Sequence, residues 1–138
     1  MSSSSSKFIA VIVARVLREV QWFLDHPDVA TVYVGRTYDL KRRRRDHVAA
    51  GRGSIFFPLT RIIGHRLTEL VETMVLTLLW GHPKLINREA DGRGALHAGA
   101  NFIYVMVEVC TKQRRDSRLA LDEDRVEKAT STGGFILI

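Results

Sequence analysis

The chain has a single cysteine, Cys110, among 138 residues. One thiol excludes an intramolecular disulfide and any zinc site built on cysteine pairs. Because it lies in an apolar run, it is expected to be a buried small hydrophobe in a reducing, intracellular setting (cytoplasm, or nucleus in a eukaryote). There is no His-Glu-x-x-His pair, no phosphate-binding Gly-x-x-x-x-Gly-Lys loop and no Gly-x-Gly-x-x-Gly fingerprint, so zinc-protease, Walker-type and dinucleotide chemistry have no support. Long apolar runs are missing too. Phe8–Val13 is interrupted by Arg15, Arg18 and Glu19, far short of the roughly 20 residues a membrane span needs. No basic leader or small-residue cleavage site marks it as a secretory signal.

Acidic residues are the scarcer charge: 15 Asp and Glu against 21 Lys and Arg, a formal net charge of +6. The bias is local. Arg36, Lys41 to Arg45, Arg52, Arg61 and Arg66 crowd one third of the chain, while acids gather near Asp116 and Asp122–Asp124. A face this basic points to a polyanionic partner.

The length suits one domain. Residues 1–6, a serine tract, have no apolar surface to bury and are expected to be disordered; residues 7–138 then form the domain. Residues 7–25 fit an amphipathic helix with Val13, Val16, Leu17, Val20 and Phe23 on one side, although its β-branched start also suits a short strand. His26-Pro27 ends it. Residues 29–34 read as a strand, and Asp39 as the N-cap of a basic helix that Gly51 stops. Beyond Pro58, residues 61–63 read as a strand ended by Gly64. Residues 67–80 form a helix with Leu67, Leu70, Val71, Met74, Val75 and Leu78 as its apolar face and Thr68, Glu69, Glu72 and Thr73 opposite. Residues 102–109 are strongly β-prone and apolar enough for a central strand. A charged helix is expected around 119–129, followed by an apolar tail, 135–138. The expected class is α+β: a small, mostly antiparallel, three-stranded sheet flanked by helices.

The stretch Thr31-Val32-Tyr33-Val34-Gly35-Arg36, then Asp39-Leu40-Lys41-Arg42-Arg43, with His47 one turn beyond, organises the rest. Gly35 permits either a tight turn or close approach by another group. Arg43 and His47 share one helix face. Tyr-Val-Gly followed by this helix resembles the second half of the GIY-YIG nuclease signature. The match falls on Tyr33, Gly35, Arg43 and His47, with Arg36 where many members carry a basic residue. A second part resembles the family as well: the helix bearing Glu72, followed by Pro83-Lys84-Leu85-Ile86-Asn87, where members have a metal-binding Glu and then an Asn. The likeness spans roughly residues 31–88.

The resemblance implies metal-dependent endonucleolytic cleavage of DNA, or of RNA, with Mg²⁺ or Mn²⁺ on Glu72 and Glu69 as the fallback ligand. Arg43 would grip the scissile phosphate bidentately. His47 would shuttle a proton or hold phosphate. Tyr33 would orient or activate the attacking water, and Asn87 would hold the backbone of the site. Arg36, Lys41, Arg42, Arg44, Arg45 and Arg52 would neutralise phosphates. One departure stands out: the family's first Gly-Ile-Tyr strand should lie near Glu19–Phe23, where no tyrosine occurs. If the Gly99–Tyr104 strand pairs with the Tyr33 strand, Tyr104 would fill that place by a circular rearrangement. Otherwise Tyr104 is a core aromatic. Two further readings stay open: a nucleic-acid-binding module of this fold without cleavage, and a basic protein-interaction domain that pairs with itself or a partner.

Overall fold

A computed structural model describes residues 3–51, 55–88 and 96–110; Arg52, the 119–129 helix and the apolar tail lie outside them. The order is α1 (Ser3–Asp25), β1 (Val29–Thr37), α2 (Leu40–Ala49), β2 (Ile55–Ile63), α3 (His65–Leu79) and β3 (Ala100–Val109). The strands form one three-stranded sheet in the order β1-β3-β2, antiparallel at both seams. This is the expected α+β class. The last described strand is the central one, as its apolar run requires: from Ile103 to Val107 every residue is buried.

Two layers flank the sheet. Ile12, Val16, Val20 and Phe23 of α1 and Val71, Val75 and Leu76 of α3 pack with Val32, Val34, Ile62, Ile103, Val105 and Val107 in one core. On the other face Phe56, Tyr104 and Met106 make a smaller cluster with Tyr33 and Leu40, beneath α2. Among the described helices none is long and apolar enough to cross a membrane.

Several boundaries differ from expectation, each for a local reason. The serine tract is not without structure from residue 3 onward, because α1 starts at Ser3; serine is a mediocre helix former but propagates a turn once the following residues are anchored. Strand β2 runs through Pro58, with a register shift between Pro58 and Thr60. Proline is tolerated there because β2 is an edge strand. Cys110 is half-exposed at the end of β3 rather than buried.

The largest correction concerns α3. The face turned to the sheet is Thr68, Val71, Glu72, Val75, Leu76 and Leu79, itself a helical stripe of the i, i+3, i+4 type. Leu70, Met74 and Leu78 point outward. This helix has apolar residues on two sides, and the stripe that packs contains the glutamate. The buried carboxylate on that face is met by a cation, Arg36.

Candidate functional site

Asp39 joins β1 to α2. Its carboxylate accepts a hydrogen bond from the Arg42 amide at 3.1 Å, an N-cap of the expected kind. Its own amide donates to Thr37 Oγ1 at 3.0 Å, which fixes the helix to the strand end. One turn apart on α2, Arg43 and His47 then converge on a single phenol. Arg43 Nε donates to Tyr104 Oη at 3.0 Å, and His47 Nε2 lies 2.6 Å from the same oxygen. Since Oη accepts from arginine, its proton is available to a neutral His47. Tyr33 stands beside this group, with its ring centroid 4.8 Å from that of His47 and 6.4 Å from that of Tyr104. Phe56 stacks on the Tyr104 ring at 4.5 Å.

Gly35 makes this arrangement possible. It sits inside β1, directly opposite Tyr104 on β3, and not in a turn; its φ is not positive. A Cβ there would stand 2.5 Å from Tyr104 Cζ and 2.9 Å from Tyr33 Cε1. Of the two roles open to this glycine, close approach is the one it plays.

Burial raises the Tyr104 pKa above its ordinary value, and the nearby Arg43 guanidinium only partly offsets this. The phenol is therefore a neutral donor at physiological pH. For Arg43, burial alone would lower the pKa, but Tyr104 and then Tyr33 outweigh it, so the net shift is upward. The guanidinium stays charged. Tyr104 and His47 have no exposed surface, whereas Tyr33 and Arg43 are half-buried. Only the latter two reach the rim.

The open edge of β1 is occupied by the segment after α3. Val32 exchanges backbone hydrogen bonds with Lys84 and Ile86. Asn87 continues the pattern with its side chain: Oδ1 accepts from the Val34 amide at 2.9 Å and Nδ2 donates to the Val34 carbonyl at 2.7 Å. Asn87 thus replaces a strand residue, which agrees with a backbone-holding role.

Beyond this clamp lies Arg36, on the same face as Val32 and Val34 by strand alternation. Arg36 Nη1 is 3.4 Å from Glu72 Oε1; the Glu72 side chain is fully buried and that of Arg36 only 11% exposed. Tyr33, Arg43, His47 and Tyr104 form one cluster, and Glu72 with Arg36 forms a separate pair on the other face of β1.

Glu69, one turn before Glu72 on α3, is solvent-exposed. Lys41, Arg42 and Arg45 are exposed on α2 and Arg44 is half-buried. Arg42 lies over the Tyr38 ring at 5.4 Å, and Tyr38 meets His97 at 5.0 Å. Phe56, Tyr38 and the Arg36–Glu72 pair were not evident from sequence. Only the strand register reveals what stands over Tyr104, and only the rotation of α3 buries Glu72.

Among the described residues no three His, Cys, Asp or Glu side chains gather as a metal-binding group. Comparison of the chain with protein-family models, with curated proteins and with solved structures finds no match.

Proposed function

We propose that this chain is a metal-dependent endonuclease of the GIY-YIG type, hydrolysing phosphodiester bonds in DNA, with Tyr104 in the place of the family's first tyrosine. One observation supports this above the rest: Tyr104 of the central strand lies opposite Gly35 and binds both Arg43 and His47. The missing motif is supplied from the C-terminal side of the chain.

In this reading Arg43 meets the scissile phosphate. Tyr104 accepts from its Nε and Tyr33 also hydrogen-bonds the guanidinium, which holds the planar group ready for phosphate oxygens. Tyr33, at the rim, orients the attacking water. Tyr104 and His47 lie beneath and act through Arg43, so they are positioning residues. Lys41, Arg42 and Arg45 extend the cationic surface along the nucleic-acid backbone. Glu72 is the carboxylate that the resemblance assigns to Mg²⁺ or Mn²⁺, where waters and substrate phosphate would have to complete the shell; in this structure it is fully buried against the Arg36 guanidinium, and no other carboxylate or histidine among the described residues joins it as a metal-binding group. When bound, the ion supplies Lewis-acid polarisation of the phosphate and support for the departing oxygen. Specificity would come from branched DNA structure, a partner or a second copy. The location is intracellular, where such DNA is found.

The second reading, a nucleic-acid-binding module without cleavage, is favoured by the cover that Arg36 places on Glu72. Nicking of supercoiled plasmid and branched duplexes with Mg²⁺ or Mn²⁺ separates the two. Cleavage abolished by both Glu72→Ala and Arg43→Ala is expected. Salt-sensitive binding without cleavage would transfer the case to the binding module, and no binding even at low salt would remove both.

A further inference from the structure

We propose that Tyr38, Arg42 and His97 form a stacking ledge for an unpaired base of a nucleic-acid strand held at Arg43. The inference rests on the nucleic-acid reading of that site and narrows its substrate to strands with an unpaired nucleotide. Tyr38 follows the last residue of β1 and is 37% exposed. The Arg42 guanidinium lies over its ring, 5.4 Å from the centroid, within reach of a cation–π contact. The exposed His97 comes from the turn before β3, and its ring stands 5.0 Å from that of Tyr38, tilted by 42°. Two aromatic rings and a guanidinium thus share one patch where β1 ends and β3 begins.

The backbone under both rings is fixed. Thr37 Oγ1 donates to the Asp39 carbonyl at 3.2 Å and accepts from the Asp39 amide at 3.0 Å, which closes a loop around Tyr38. Asn101, fully buried, spans the turn at 97–99. Its Oδ1 accepts from the His97 amide at 3.0 Å, and its Nδ2 donates to the carbonyls of His97 and Gly99 at 2.8 and 3.2 Å. The His97 ring accepts the Gly99 amide on Nδ1 at 2.8 Å, and a Cβ at Gly99 would stand 2.6 Å from its Cε1. Both rings stay exposed, so burial in the core does not account for holding them together. Charge selects the occupant. Lys41 and Arg45 continue the basic surface from Arg42, and the nearby Asp39 carboxylate accepts from the Arg42 amide. An acidic peptide would answer the charge and leave the rings idle. A nucleotide answers both, with phosphate on the cations and base on the rings. That base must be unpaired, because inside a duplex both its faces are already stacked. From Gly35, opposite Tyr104, to Tyr38 the strand rises about 10 Å. Nucleotides about 3.4 Å apart cover that distance in about three steps, so one strand reaches both Arg43 and the ledge.

The test is fluorescence anisotropy of the full chain, without divalent metal, on labelled oligothymidylate and on an abasic strand of equal length. The abasic strand keeps the phosphates and lacks the bases. Wild type, Tyr38→Leu, Tyr38→Phe, His97→Ala and Arg45→Ala are compared at one low salt concentration, and thermal unfolding checks each fold. Stacking of one base contributes about 5- to 150-fold in affinity, so wild type should prefer the thymidylate by that factor. Tyr38→Leu should bind both strands as wild type binds the abasic one, while Tyr38→Phe should keep the preference and His97→Ala should reduce it. Arg45→Ala should weaken both strands alike, through lost phosphate contact. If Tyr38→Leu does not fold, His97→Ala carries the comparison. Equal affinity of wild type for both strands, or a preference that survives Tyr38→Leu and His97→Ala, would overturn the ledge. The surface would then be cationic only, open to any polyanion, an acidic peptide included. A preference lost in Tyr38→Leu, beside a wild type that never cuts branched DNA with Mn²⁺, would uphold the ledge and remove the nuclease. No binding to either strand would overturn the ledge together with the nucleic-acid reading.

Discussion

Gly35→Ala is the most informative small change in this protein. In an extended strand with no positive φ, replacing glycine by alanine ordinarily stabilises by about 0.4–1 kcal/mol, through the unfolded chain. Here the added methyl would sit 2.5 Å from Tyr104 Cζ and 2.9 Å from Tyr33 Cε1. Ordinary carbon contacts are about 3.5–4.0 Å, so the Tyr104 ring must retreat by about 1 Å. It has nowhere to go: it is fully buried and stacked on Phe56 at 4.5 Å. Overpacking of this kind costs about 1–3 kcal/mol. The movement also stretches the contacts of Oη with Arg43 and His47, at about 1 kcal/mol each, for a cost of about 3–5 kcal/mol; with the gain through the unfolded chain subtracted, the expected net loss is about 2–4.5 kcal/mol. Urea unfolding measures it directly. The double variant Gly35→Ala/Tyr104→Phe, without the hydroxyl that crowds the methyl, should lose less than the sum of the two single changes. A stable Gly35→Ala, within about 0.5 kcal/mol of wild type, would refute the close approach of Tyr104 and the site built on it.

Other consequences follow from the same geometry. Because burial raises the Tyr104 pKa, the folded state holds that proton more tightly than the unfolded chain; the associated stability is complete below about pH 10 and is lost as pH rises further. Urea midpoints measured from pH 8 upward should show this decline in wild type and a shallower one in Tyr104→Phe. Asn87→Ala removes two hydrogen bonds to Val34 and should cost about 1–3 kcal/mol, while Asn87→Asp should cost comparably because it cannot donate to the Val34 carbonyl. Leu76→Ala, in the core, should lose about 2–5 kcal/mol, whereas Leu78→Ala, 62% exposed, should stay within about 0.5 kcal/mol; the reverse order would restore the helix face expected from periodicity.

The fold was largely readable because its strands and helices announce themselves locally. Asp39 caps α2, Gly51 and Gly64 end their elements with positive φ, and the uniformly apolar β3 has to be central. What composition could not settle was the rotation of α3. Leu70, Met74 and Leu78 are as apolar as the stripe that packs, and that stripe carries Glu72, which Arg36 meets from another element. The site divides in the same way. Arg43, His47 and Tyr33 stand close together in sequence, so one strand and one helix bring them together. Tyr104 is 57 residues from His47, and its place depends on a strand register that no local pattern encodes. Gly35 was the available clue, since a glycine within a strand often marks where another group comes close.

The most direct test is single-turnover cleavage of a branched duplex with Mn²⁺ by wild type and Tyr104→Phe, with duplex binding measured in parallel. The account predicts cleavage by wild type, a loss of about 10²-fold in Tyr104→Phe from the displaced Arg43, and unchanged binding. A Tyr104→Phe protein that cleaves at the wild-type rate, or a folded wild type that binds the duplex and never cuts it, would contradict it.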